Sequence, residues 1–242
     1  MFNFLKKFMN NDQSALTNDV NSIHRILKTD IKKEPNPQED EIIFGCGCFW
    51  GAEKCFWKLP GVITTSVGYA GGNTSNPTYY EVCSGLTGHT EVVRVVWDKS
   101  IIDISDLLKM FWECHDPTQK NRQGNDVGTQ YRSAVYYKNE NQKKIILASK
   151  EHYQKELDKK NLGLIETEIK ILATYFYAEQ NHQQYLAIEG SRQYCSASPT
   201  KVKLRNFTGS NYKLKDYIWE NFNWDVEKCV LRSDNNPINN NI

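Results

Sequence analysis

The 242-residue sequence lacks any apolar run near the ~18 residues that a membrane-spanning helix needs. Its longest apolar stretches, such as Glu41–Phe44 and Val92–Trp97, are of strand length. It also lacks charge of one sign: 30 Lys and Arg stand against 29 Asp and Glu, a net charge of +1, so there is no basic field able to hold a phosphate backbone. These two absences exclude membrane and nucleic acid as expected partners. A secretory signal is missing too, because Lys6 and Lys7 are followed by Asn10, Asn11, Asp12 and Gln13 rather than by an apolar region. Paired, dense cysteines are absent as well. The seven present, at 46, 48, 55, 83, 114, 195 and 229, are odd in number and scattered, unlike a secreted disulfide scaffold. A reducing cytoplasm is the expected home, and a disulfide formed there would be transient and catalytic. Gly68-Tyr-Ala-Gly71-Gly72 lacks the spacing of a dinucleotide fingerprint, and there is no internal repeat.

What is present begins sharply at Ile42, where aromatics and glycines set in. Residues 1–40, which hold one weakly amphipathic stretch over Val20–Leu27 and end in Pro35-Asn36-Pro37, are expected to be a poorly ordered leader. Glu41–Phe44 reads as a strand, and a Gly45-Cys46-Gly47 turn leads into a helix with Ala52, Cys55, Phe56 and Leu59 on one face, stopped by Pro60-Gly61. Further strands are predicted over Val62–Tyr69, Glu91–Trp97, Ser133–Tyr137 and Thr167–Ala173. Helices are predicted through Ile104, Leu107, Leu108, Phe111 and Trp112, and from Asn139 to about Lys160. The order favours an α+β two-layer sandwich with a ferredoxin-like core, helices on a mixed sheet, and a coil-rich C-terminal region. The catalytic domain is expected over 41–195. Residues 196–242 form an extension carrying Cys229, with a polar tail from about 233 that has nothing to pack.

Cys48 follows a strand and a Gly-x-Gly turn and opens a helix, where unpaired N–H groups favour the nucleophilic thiolate. The residues alone leave two readings open, a catalytic thiol and a small hydrophobe buried at a packed turn. A non-catalytic zinc or redox-sensor domain built on Cys46, Cys48, Cys55 and Cys83 lacks the usual pairs two to four residues apart. His89 or His115 beside Cys48 would suggest acyl transfer, though a histidine next to Gly88 or Asp116 also suits a turn.

Gly47-Cys48-Phe49-Trp50-Gly51-Ala52-Glu53 resembles the signature of the A-class methionine sulfoxide reductases. The resemblance continues in Val67–Gly72, Asn76–Gly85, Thr87–Glu91, Phe111–Thr118, Asn121–Asp126, Gly128–Ser133 and His182–Leu186. It implies reduction of methionine (S)-sulfoxide, free or in proteins, with no metal and no bound organic cofactor. By the same resemblance Cys48 attacks the sulfoxide sulfur and Phe49 and Trp50 form the slot for the ε-methyl group. Glu91, Tyr79 and Tyr131 gather around the oxygen, and Asp126 helps hold the site. Cys195, after the His-Gln-Gln-Tyr-Leu segment, is the implied resolving cysteine, and thioredoxin the implied reductant of the Cys48–Cys195 disulfide. A monomer is expected.

The residue types suit that chemistry. A sulfoxide is a poor electrophile until its oxygen is protonated, so a carboxyl kept neutral near pH 7 is useful, and burial among aromatic rings raises its pKa. The sequence departs from the family where Ser196-Ala-Ser-Pro replaces a glycine-rich segment leading to a further recycling cysteine. Cys229, behind Tyr217, Trp219, Phe222 and Trp224, is the remaining relay candidate, and Cys46 is a possible competitor in disulfide formation.

Overall fold

Ile42, Ile43 and Phe44 are all fully buried although they alternate between opposite faces of one strand, so that strand needs cover on both sides. The computed structural model, which describes residues 20–226 and 229–239, shows how it is covered. β1 (Glu39–Cys46) lies inside a mixed sheet with β2 (Val62–Ala70) and β3 (Thr90–Asp98). The short strands β4 (Arg122–Gln123) and β5 (Asp126–Val127) form a separate hairpin. β6 (Ser133–Tyr137), β7 (Glu168–Ile171) and β8 (Tyr175–Tyr177) complete a six-stranded sheet in the order β7-β6-β1-β3-β2-β8. β6 and β7 run parallel, and the other neighbours are antiparallel. The inner order β6-β1-β3-β2, crossed by α1 (Phe49–Trp57) and later by α3 (Ile104–Cys114), is the expected β-α-β-β-α-β core.

On the helical face Phe44 stacks between Phe56 of α1 and Phe111 of α3, with ring centroids 4.9 and 5.1 Å away. Asp103 and Asp106 form a capping box that starts α3. Its Trp112 stacks on Tyr153 of α4 (Glu140–Asp158) and donates its indole N–H to Ser149 at 2.9 Å. The opposite face carries a smaller cluster of Ile43, Ala70, Val92, Ala134 and Tyr136, against which Leu172 and Tyr175 pack. Among the described residues no helix is long and apolar enough to cross a membrane.

Both chain ends correct the expectation of disorder where they are described. Residues 1–19 and 240–242 lie outside the described residues, but from Val20 onward the chain lies along β2. The Thr29 hydroxyl donates to the Ile63 carbonyl at 2.6 Å, His24 is bonded to Thr65 at 2.9 Å, and Arg94 donates to the Ile31 and Lys33 carbonyls. The polar tail packs through its backbone. Carbonyls of Ser233, Asp234, Asn235 and Asn236 accept from Lys54, Lys58 and the Trp57 indole, which lets two lysines of α1 and its cap lie buried. The extension is coil-rich as expected, with short α5 (Asp216–Trp219) and α6 (Cys229–Arg232). Carboxylates of α3 pin it: Glu113 accepts from the Leu204 N–H and Asp106 from the Lys213 N–H.

Candidate active site

Cys48 caps the N-terminus of α1. The chain reaches it through Gly47 at φ +86°, where a Cβ would stand 2.5 Å from that of Gln123, so both the turn and the close approach demand glycine. Gln123 is held there by the Asp116 and Ser198 N–H groups, at 3.1 and 3.0 Å. Of the first helical N–H groups, that of Phe49 donates to Glu91 at 3.0 Å and that of Trp50 points to the Cys48 sulfur. The helix end therefore divides its donors between a thiol and a carboxyl. Burial, followed by the neighbouring Glu91, pushes the Cys48 thiol well above its usual range. The expected bias toward thiolate is overturned, because desolvation outweighs one N–H donor.

Glu91 is the second residue of β3, which is buried from its first, Thr90. Burial raises its pKa to about 8 against the opposing Phe49 N–H, and nearby Asp126 adds to the rise. The hydroxyl of its neighbour Thr90 donates to the Gln130 carbonyl at 2.8 Å and so ties β3 to the turn over Thr129–Tyr131. That turn presents Tyr131, and α2 (Tyr79–Cys83) presents Tyr79. Burial first and Glu91 second drive both phenols upward, so near neutral pH they are hydrogen-bond donors. Glu179 sets the Tyr79 backbone by accepting its N–H at 2.8 Å.

Phe49 and Trp50 are both buried. The Trp50 indole is clamped: Tyr185 stacks on it at 3.9 Å, and its N–H donates to His182 Nδ1 at 3.2 Å. The His182 ring also lies 5.5 Å from Phe49 and 4.4 Å from Tyr79. It joins three predicted site residues and was not itself predicted. The signal was its place in the His182–Leu186 segment among aromatics. The two histidines weighed for acyl transfer are engaged elsewhere. His89 bonds the Gly72 N–H and the Thr74 carbonyl, and His115 the Phe111 carbonyl and the Ser133 hydroxyl.

Asp126, half-buried at the rim, accepts from the Tyr194 hydroxyl at 2.6 Å. This bond anchors the coil just before Cys195. Cys195 is buried with its Sγ only 2.6 Å from where a Cβ on Gly51 would stand. A side chain at 51 would evict the thiol, which accounts for the glycine one turn after Cys48. The sulfur set nominated for zinc is not what the fold gathers. Among the described residues Cys46 meets Cys114 and His115 instead, while the Cys83 thiol lies beside Tyr79. Cys229 opens α6, and its side chain lies outside the described residues.

Around the buried mouth of α1 the site thus unites a protonated thiol, a carboxyl titrating above neutrality, two half-buried phenols and a fixed indole. It suits nucleophilic attack on a neutral, polar group whose oxygen needs a proton. Comparison with known proteins agrees. Residues 40–215 match the family described as peptide methionine sulfoxide reductase. The peptide methionine sulfoxide reductase MsrA of Vibrio vulnificus is 54% identical over 183 residues, which cover 76% of this chain and 87% of the relative. The solved methionine sulfoxide reductase A of Corynebacterium diphtheriae superposes with a TM-score of 0.65 at 45% identity, covering 75% of this chain and 88% of that one. Mxr1 from Saccharomyces cerevisiae in its reduced form does so at 0.63 and 32%, covering 72% and 96%.

Proposed function

We propose that this chain, which belongs to the peptide methionine sulfoxide reductase family and is a thiol-dependent oxidoreductase of methionine sulfoxide, uses Cys48 as its nucleophile and Glu91 as its acid. The observation that carries the assignment is the pairing at the mouth of α1. A buried thiol and a carboxyl with a pKa of about 8 share the first two helical N–H groups. Below that pH both groups hold their protons, so this pair admits a neutral, dipolar sulfoxide without having to desolvate a charge of its own.

The fixed Trp50 indole and Phe49 take the ε-methyl group. Tyr79 and Tyr131 donate to the sulfoxide oxygen, and Glu91 delivers a proton to it. The Cys48 sulfur then attacks the activated sulfur and its own proton returns to Glu91; the hydroxyl next passes to the Cys48 sulfur as the substrate's S–O bond and the new S–S bond break. The net change is sulfoxide plus Cys48 thiol giving thioether plus Cys48 sulfenic acid. Cys195, seated on Gly51 and anchored through Tyr194 and Asp126, attacks that sulfenic acid and releases water, leaving a Cys48–Cys195 disulfide. An external dithiol, which we take to be thioredoxin, opens it. The S epimer is the proposed substrate, the cytoplasm the proposed compartment and a monomer the proposed working form. The odd number and scattered positions of the seven cysteines support a reducing compartment.

The test is turnover of the separated epimers with dithiothreitol. Methionine should form from the S epimer alone, and Cys48→Ser should abolish even one stoichiometric reduction. Normal single turnover in that variant removes Cys48 from the role.

A further inference from the structure

Four of the cysteines face one buried cavity. Cys46 at the end of β1, Cys55 in α1, Cys114 at the end of α3 and Cys195 in the following coil line a space of about 20 Å³, room for about one water molecule. Cys46 Sγ and Cys114 Sγ lie within 4.8 Å of each other, and Cys114 hydrogen-bonds Cys55 as well. Cys195 interacts electrostatically with Cys48 on one side and with Cys114 on the other. The thiol assigned above to resolve the sulfenic acid therefore stands between the catalytic sulfur and a buried trio.

A soft metal ion and a disulfide are the two uses such a trio offers. Geometry decides between them. The cluster offers two thiols and one imidazole within reach of a common point, and the ring nitrogen that would complete a metal set is committed. His115 Nδ1 is bonded to the Phe111 carbonyl and Nε2 to the Ser133 hydroxyl, both at 2.7 Å.

We propose that Cys114 and Cys46 form an internal reserve of reducing equivalents, which reopens the Cys48–Cys195 disulfide from within and ends as a Cys46–Cys114 disulfide. The proposal rests on the assignment of Cys48 and Cys195 above. Cys114 attacks the Cys195 sulfur, the bond to Cys48 breaks, and the proton of Cys114 passes to the departing Cys48. Cys46 then attacks the Cys114 sulfur, and its proton passes to Cys195. Both catalytic thiols are restored without any outside reductant. The sum is two sulfoxides and four thiols giving two thioethers, two disulfides and two waters. Because exchange proceeds through the scarce thiolate, the second equivalent is expected to appear more slowly than the first.

The test counts methionine. Fully reduced full-length protein is freed of reductant under anaerobic conditions and given excess methionine (S)-sulfoxide. A chain with Cys48 and Cys195 alone yields one methionine and loses two thiols. The reserve doubles both numbers, with a Cys46–Cys114 peptide found on mass mapping. Cys229→Ser should still yield two methionines, and Cys114→Ser one. Cys46→Ala, which keeps a small apolar group beside the cavity, should leave the protein without that disulfide and covers the case in which Cys114→Ser does not fold. One methionine from wild type, or two that fall to one in Cys229→Ser, overturns the reserve and leaves the catalytic assignment standing. No methionine from wild type overturns the catalytic assignment itself.

Discussion

Two buried carboxyls flank α1, and they are used differently. Glu91 lies at its first N–H group, and Glu53 lies in its body. Burial is the leading cause of a raised pKa in both, about 8 for Glu91 and about 7 for Glu53. The donors around them differ. Glu53 accepts from the Gln184 N–H at 2.8 Å, the Gln184 amide at 2.7 Å and the Thr65 hydroxyl at 3.0 Å. Thr65 is in turn bonded to His24, whose Nδ1 accepts from the Ile26 and Leu27 N–H groups. That ring is neutral, pushed down to about 3 by burial and then by Lys28, so its Nε2–H donates to Thr65. Glu53 thus fastens α1, the Gln184 turn and the incoming chain together. Glu91 has the Phe49 N–H as its partner among the described residues and keeps capacity for a substrate oxygen. Raised pKa values alone would not tell these two apart; the number of donors does.

The largest expected effect separates them by rate. Glu91→Gln should slow single-turnover methionine formation by roughly 10²–10⁴-fold, the range for loss of a general acid, whereas Glu53→Gln should cost less than tenfold. Equal losses would break the comparison. The second effect concerns pH. Each carboxyl keeps its proton in the folded protein up to about 7 or 8 but loses it near 4.5 when unfolded. Between those values the folded state binds more protons, so unfolding free energy falls as pH rises. Urea midpoints measured from pH 4.5 to 8.5 should show this decline, and Glu91→Gln should flatten it by roughly 2–4 kcal/mol. Over the same range kcat/KM should drop above about pH 8 as Glu91 ionises.

Smaller changes are expected on the Glu53 side. Glu53→Leu strands the Gln184 and Thr65 donors and should cost ~1–3 kcal/mol in urea unfolding. His24→Ala removes one further link and should cost ~0.5–1.5 kcal/mol, with the single-turnover rate unaltered. If it slows that step, the incoming chain shapes the catalytic mouth as well as the fold.

Periodicity made the central elements legible. The strand read over Glu91–Trp97 is β3 at Thr90–Asp98, and the helix read from Asn139 to about Lys160 is α4 at Glu140–Asp158. The motif residues Cys48, Phe49, Trp50, Tyr79, Glu91, Asp126 and Tyr131 come together because α1, α2, β3, β5 and the Thr129–Tyr131 turn converge there. What escaped reading lacks a local signature. β8 spans three residues, Tyr175–Tyr177, and α2 five, Tyr79–Cys83. Val20, His24 and Ile31 are buried singly at irregular spacing, so their docking on β2 leaves no pattern. Cys46 and Cys114 are brought together by topology, since β1 and α3 end side by side. For the ionisation of Cys48, helix position is visible in sequence and the desolvation that outweighs it is not.

At position 51 a hydrogen atom stands where almost every other residue would carry a methyl group or more, and the Cys195 sulfur occupies the vacated space. In the proposed cycle this fixes a chemical lifetime. A sulfenic acid that waits for its partner can meet a second oxidant and become sulfinic acid, which thiols do not reverse. A partner already seated one helical turn away shortens that wait. The missing methyl therefore protects the catalyst from the oxidants whose damage it repairs, and its measure is how many cycles a chain survives under peroxide.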